Sequence, residues 1–507
     1  MRYTAIAIAL VVAFWLQMFL ALPKLSATSD EIVHLPAGYT YWMTRDFRMN
    51  PEHPPLAKLL AAFPLIFLKP RVDWDSHEWV TGDEYLFGYR FTYSNDADRL
   101  LFWGRLPITL IAALGAFVVF LWARDMFGPA AGLFAVGLCA FSPNLMAHGM
   151  LVTTDVPLAA FAALTGYLFW KSGLKSNLAV GLAMGAAMAS KFSAAVLPLI
   201  VVGFSIWRVW SATDRRKQAS VEAKALAVAG IACLFVIEAA YFFTTPPWAY
   251  LANMKYLNAN HNPIRMFFLF GNFSRTGWWY YFPLAFLVKA TIPLLLTTVL
   301  AAVHLAAKRF IDRSGELLLL LLVIAFTAII MAGADDLGVR YLLPVFPLLF
   351  IWGSRIVTEL KRKALGIALL VLLVAWQARA AIGAFPNYIP YFNEIAGGAA
   401  AGMEYLDDSN VDWGQAIKMT ADYVHRNHWE AVELLPFSTF DNPGYYGIQR
   451  PPRNDLDTYQ VMIAPHRHPG IYIVSSHHLI RVMRAQPEWN PRNAIDCIGD
   501  AMWVFKF

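Results

Sequence analysis

Asp30 and Glu31 follow directly on an apolar run and open the stretch from Ser29 to Leu60, SDEIVHLPAGYTYWMTRDFRMNPEHPPLAKLL. Paired carboxylates in such a place can take a proton from a hydroxyl nucleophile, or hold a divalent cation that neutralises a leaving phosphate. A third acid, Asp155, opens another apolar run in HGMLVTTDVPL. Taken singly, each is an ordinary helix-capping acid. Two such sites at one membrane boundary ask for more, and Asp30, Glu31 and Asp155 are the candidate catalytic acids.

The cations are equally specific in placement. Lys191 interrupts the apolar residues 177–210 in SKF, where a lysine costs roughly 2.5–3.5 kcal/mol at the bilayer centre unless it snorkels or meets an anion. His53 and Lys58 belong to the rigid turn PEHPPLAK at 51–58, and Arg275, Lys289 and Arg340 stand where topology does not ask for positive charge. Cations beside lipid are what a phosphate headgroup requires, so Lys191, Lys58, His53, Arg275 and Arg340 are the candidate phosphate ligands. Asp335 and Asp336 are local partners for Arg340. Glu52 and His261 are candidate ligands for a divalent metal, although their spacing does not compel one. His466, His468, His477 and His478 match no closed zinc site and read as surface residues.

These residues need a scaffold, and the composition says which kind. With 507 residues, 58% hydrophobic and 15% charged, the chain is a polytopic α-helical membrane protein rather than a soluble one. Its 41 Lys and Arg against 35 Asp and Glu fall in short clusters between apolar runs, which fits membrane topology and not a nucleic-acid surface. Cys139, Cys233 and Cys497 form no disulfide or metal pattern. Apolar runs at 4–22, 100–122, 129–147, 155–170, 224–243, 283–306, 315–333, 340–358 and 364–384, with 177–210 split in two at Ser190-Lys191, predict about eleven transmembrane helices. Placing Arg124, Lys171, Arg215-Arg216-Lys217, Lys308-Arg309 and Lys361-Arg362-Lys363 inside puts the N-terminus in the cytoplasm and the C-terminus outside. Residues 24–99, 244–282 and 385–507 then emerge on the outer side.

The first outer segment carries two interfacial helices, Glu31 to Trp42 and Leu56 to Leu68, the former opened by a capping box at Thr28–Glu31. The aromatic-rich second segment belongs at a headgroup boundary. Residues 385–507 read as a small extracytoplasmic α/β domain, with a helix near Trp413–His425 and strands near 433–439, 459–464, 470–476 and 502–507. Residues 1–384 form the membrane domain.

Asp30-Glu31 after the first span, the HPPLAK turn, TTDVPL, SKF at 190–192 and RYLLP at 340–344 together resemble the phospholipid-carrier-dependent glycosyltransferases of GT-C type. That group includes protein O-mannosyltransferases and the bacterial lipid A aminoarabinose transferase. The resemblance covers about residues 1–384, and YFNEIAGG, DSNVDWGQ and YYGI extend it without a catalytic role. It implies a multi-pass enzyme of the bacterial inner membrane that takes a hexosyl or pentosyl unit from a polyprenyl-phosphate sugar and transfers it, with inversion, to a hydroxyl of a protein, lipid or polysaccharide acceptor. Asp30 matches the family's acid in the first loop and Asp155 the second motif acid. Glu52 stands where some relatives place a metal ligand, and His53 where they have a phosphate-binding lysine. A ligase of whole oligosaccharides and a lipid or solute transporter are the rival readings. The absence of an evident internal repeat and the proline-stiffened outer loop favour the enzyme.

Overall fold

The computed structural model describes residues 2–172, 177–246, 248–259, 266–451 and 468–507. Six helices among them are long and apolar enough to cross a membrane: Arg2–Lys24, Ala97–Phe127, Phe192–Ser211, Arg215–Ala240, Arg313–Gly333 and Ala364–Ala384. Two bent pairs, Pro129–Ala140 with Pro143–Gly149 at 63° and Tyr281–Lys289 with Ile292–Lys308 at 114°, bring the number to eight if each is one span. The expected eleven are thus not reproduced at that number. The predicted division of 177–210 is present, with helix Asn177–Met188 ending before Lys191 and a new helical segment starting at Phe192.

Local chemistry explains the first polar segment. Thr28 is extended and caps helix Ser29–Thr44; the Glu31 carboxylate accepts from the Thr28 N–H at 3.0 Å, and the acids of the first turn face the positive helix end. Pro36 lies inside this helix, so the Ile32 carbonyl loses its intrahelical donor. Against that carbonyl packs Gly88, where a Cβ would overlap the oxygen. Gly38 lies as tightly on the Lys58 carbonyl, which folds helix Leu56–Ala62 back along helix Ser29–Thr44. The predicted helix 56–68 is broken at Phe63-Pro64 into Leu56–Ala62 and Leu65–Leu68. The Leu56 N–H donates to the Ala189 carbonyl at 2.9 Å. That bond ties the proline turn to the break that carries Lys191.

The strands form two sheets, one from residues 267–274 and one from residues beyond 385. A hairpin joins β1 (Phe267–Leu269) and β2 (Asn272–Ser274); a four-stranded sheet has the order β3 (Glu433–Leu435), β4 (Ile471–Ser475), β6 (Met502–Lys506), β5 (Asp496–Ile498). β3 runs parallel to β4 and the other pairs are antiparallel. Helix Ile417–Arg426 buries Ile417, Ala421 and Val424 with Leu434, Ile473 and Val504 of the sheet. Strands were expected at three of these positions and β5 was not, because the three residues DCI offer no alternation to read. The expected strand at 459–464 lies outside the described residues.

Candidate active site

The helix that starts at Ser29 presents Asp30 and Glu31 to different surroundings. Glu31 turns inward: Arg105 donates to it from Nε at 2.8 Å and from a terminal nitrogen at 2.7 Å, and the Val152 N–H donates at 3.0 Å. Arg105 also donates to the carbonyls of Leu22, Leu25 and Ser26. Both side chains are sealed from solvent, at 1% and 0% exposure. Glu31, expected among the catalytic acids, is fully engaged in holding the loop, the helix Ala97–Phe127 and the Val152 turn together. It has no oxygen free for substrate.

Asp30 is one-fifth exposed and accepts from Arg340 at 2.8 Å through Oδ2, leaving Oδ1 without a partner among the described residues. Arg340 lies 3.6 Å from Asp155, and Lys191 donates to the other Asp155 oxygen. Asp155 Oδ2 and Arg340 Nε are buried and make no hydrogen bond. The four charges alternate, so each is partly compensated while some capacity is left over. Two aromatic rings hold the cations in place: Trp413 lies 4.3 Å from the Arg340 guanidinium, and Tyr341 lies 4.4 Å from the Lys191 ammonium.

Trp413 was missed by sequence reasoning, although DSNVDWGQ was visible as a motif. The segment that carries Trp413 is pinned to the helix start: Ser29 N–H donates to the Trp413 carbonyl at 3.0 Å and Ser26 N–H to the Gln415 carbonyl at 3.1 Å. His34 was also missed. Its Nδ1 bonds the Val152 carbonyl at 3.0 Å, and its ring lies 5.4 Å from that of His53.

A cavity of about 330 Å³ opens beside this cluster. Its polar end is formed by Lys191, His53, Tyr341 and Asp335, and its other walls include Phe192, Met254 and Ile329. His53 Nδ1 is buried without a hydrogen bond. Burial, and the nearby charges of His34, Lys191, Lys58 and Arg340, push this imidazole well below its usual range. It is neutral at pH 7.

The remaining candidates lie elsewhere. Lys58 was expected to meet phosphate, but it is buried and donates to the Asn50 carbonyl at 2.7 Å, the Asn50 side chain at 3.0 Å, the His53 carbonyl at 2.8 Å and the Tyr41 hydroxyl at 3.0 Å. Burial brings its ammonium down to about 7. It is a strut of the proline turn. Lys289 likewise donates to the carbonyls of Ile389 and Asn410. Arg275 is exposed at the end of the β1–β2 hairpin and makes no described contact with the cluster. Glu52 is half-buried, His261 lies outside the described residues, and no group of three His, Cys, Asp or Glu among the described residues could hold a metal. His477 and His478 are half-buried rather than surface residues, and His478 is pushed down to about 3, chiefly by burial; His466 lies outside the described residues.

A family model described as dolichyl-phosphate-mannose-protein mannosyltransferase matches residues 98–241. A comparison with curated proteins found no match. Among solved structures, ArnT from Cupriavidus metallidurans in the apo state is similar over 99% of this chain and 97% of that one, at 14% identity and a TM-score of 0.53. The same protein bound to undecaprenyl phosphate gives 14% identity and 0.49 over the same shares. The apo oligosaccharyltransferase of Archaeoglobus fulgidus gives 12% identity and 0.47, over 74% of this chain and 56% of that one. The match across nearly the whole length of both chains, with the mannosyltransferase signature at 98–241, shows that this chain has the GT-C type glycosyltransferase fold.

Proposed function

We propose that the protein transfers a hexosyl or pentosyl unit from a polyprenyl-phosphate carrier to a hydroxyl acceptor on the outer side of a bacterial inner membrane. The observation that carries this reading is the junction of Asp30, Arg340, Asp155 and Lys191 with a cavity into whose polar lining Lys191 enters and whose other walls are apolar. A lipid-linked phosphate has the same two-part chemistry. ArnT, whose fold this chain shares, has been solved with undecaprenyl phosphate, and the family at 98–241 is described by a dolichyl-phosphate sugar.

Asp30 Oδ1 takes the acceptor proton as the hydroxyl oxygen attacks the anomeric carbon. The bond from that carbon to the phosphate oxygen breaks, and its electron pair leaves with the lipid phosphate. Lys191 and Arg340 stabilise the charge that develops there, and His53 contributes a neutral hydrogen-bonding edge. One displacement inverts the anomeric centre. Asp155 orients both cations. No group of three His, Cys, Asp or Glu among the described residues could hold a metal, and no step is routed through one. In this reading the N-terminus is cytoplasmic, and residues 385–507 form an extracytoplasmic unit that completes the site through Trp413.

Purified protein incubated with radiolabelled polyprenyl-phosphate sugars should release free lipid phosphate. Release that is absent across the panel, from protein shown to be folded, would overturn the proposal. Movement of intact lipid or solute across proteoliposomes in its place would establish the transporter reading.

A further inference from the structure

A second cavity of about 330 Å³ is lined in part by the segment that leads to Arg340. Its walls come from three places: Asp336 and Leu337 just before Arg340, Asp407 and Asp408 of the loop leading to Trp413, and His477 and Arg481 of helix Ser476–Ala485. The β1–β2 hairpin closes one side, because Arg481 and Arg484 lie 5.2 and 4.5 Å from the Phe273 ring. Asp336 fixes the hairpin's exit by accepting from the Trp278 N–H at 2.6 Å.

The charged groups here are not equally occupied. Asp407 is satisfied at both oxygens, by His477 at 2.8 Å and by Arg481 at 2.8 Å. Asp336 accepts one bond through Oδ2, and Asp408 accepts one through Oδ1 from the Ser409 N–H at 2.7 Å. Each keeps an oxygen with no partner among the described residues. Asp408 is held at φ 57°, in the left-handed region a non-glycine residue seldom takes, which is strain of the kind kept at working sites. Arg481 uses one terminal nitrogen for Asp407 and the His477 carbonyl and keeps further N–H groups. Phe437 and Phe267 supply ring surface in the same cavity.

We propose that this cavity binds the acceptor and that the acceptor portion it takes is a hydroxyl-rich carbohydrate. Vicinal hydroxyls both donate and accept, so they match carboxylate oxygens and guanidinium N–H groups converging on one space, with a phenyl ring beneath the C–H face of the sugar. The charged groups that converge here belong to side chains, while the β1 residues Phe267 and Phe268 complete one wall. The cavity is also in reach of the chemistry. Asp336 and Leu337 stand four and three residues before Arg340, Asp408 stands five residues before the Trp413 that lies 4.3 Å from the Arg340 guanidinium, and Arg340 is bonded to Asp30.

This inference rests on the transferase reading, and its test separates the two. Full-length purified protein is applied to an array of neutral, amino-bearing and phosphorylated oligosaccharides, with Ser/Thr peptides on the same surface. Wild type binds one or more hydroxyl-rich glycans, and D336N and D408N each weaken that binding at least tenfold. Both variants keep the wild-type melting temperature, which reports an intact fold, and wild type releases lipid phosphate from a radiolabelled polyprenyl-phosphate sugar. Loss of release in wild type overturns the transferase reading itself. Intact release with glycan binding unchanged in both variants, or with binding to peptides alone, overturns the acceptor site.

Discussion

Adjacent residues of one helix show what separates a holding carboxylate from a reacting one. Glu31 accepts two bonds from Arg105, with backbone donors from Val152 and Thr28 completing its shell. Asp30 accepts one bond from Arg340, is one-fifth exposed, and keeps its second oxygen without a partner among the described residues. Both pairs are short and both join distant parts of the chain. The difference lies in what is left over: the Glu31–Arg105 pair is saturated and dry, while the Asp30–Arg340–Asp155–Lys191 chain retains an Asp155 oxygen and an Arg340 N–H that make no hydrogen bond. A saturated ion pair in a sealed interior sets position. An unsaturated one beside a cavity is prepared for a further charge.

The sharpest way to break this comparison is D30N. It keeps the shape and the Arg340 contact but cannot take a proton, so transfer should fall about 10²–10⁴-fold while expression and melting temperature hold. Near-normal turnover would remove Asp30 as the base. E31A should do the reverse. It leaves Arg105 charged and buried with only carbonyls, at a cost of about 3–5 kcal/mol, and thermal unfolding should show that loss before any kinetic change is sought; a stable E31A protein with lost activity would move Glu31 back among the reacting acids.

Lys191→Ala should raise the donor KM at least tenfold, with little change in acceptor KM, and an unchanged donor dependence would take Lys191 out of the phosphate site. H53L should have a smaller effect, about fivefold on donor KM, since a neutral imidazole offers one hydrogen bond worth about 1 kcal/mol rather than a charge.

The same contrast recurs away from the membrane. Asp407, held by His477 and Arg481, has its carboxyl pulled down to about 2 although burial opposes this. Asp441 is buried with only backbone donors, and burial lifts its carboxyl to about 8. Asp441 therefore holds a proton in the folded protein that the unfolded chain releases above about pH 4, so its contribution weakens stability as pH rises from about 4 to about 8. D441N cannot ionise, and its melting temperature at pH 8 should exceed that of wild type by a few degrees, with the gap closing toward pH 4. A gap that stays constant with pH would show that Asp441 does not titrate in this window.

Much of the scaffold was legible because it is local. The Thr28–Glu31 capping box spans three residues, and the break at Ser190-Lys191 is announced by a polar pair in an apolar run; both are present. The number of spans was less legible, since several apolar stretches are bent or short and, among the described residues, six helices, or eight with the bent pairs, meet the length a membrane requires. Lys58 and Lys191 are a sterner case. Each is a lysine near a membrane boundary, yet one ends in a cage of carbonyls and the other at a cavity. Nothing in the neighbouring residues distinguishes them, because the cage is built by a loop folding back on Gly38.

The sequence by itself determined that this chain is membrane-embedded, where its polar loops fall, and that Asp30, Asp155, Lys191 and Arg340 carry charge where charge is expensive. Those properties depend on run length and on neighbours a few residues away. Tertiary structure alone decided which acid stays free. Arg105 stands 74 positions from Glu31, Arg340 stands 310 from Asp30, and Trp413 reaches the same guanidinium from the far end of the chain. Pairing across such separations is fixed by packing, to which local pattern is blind.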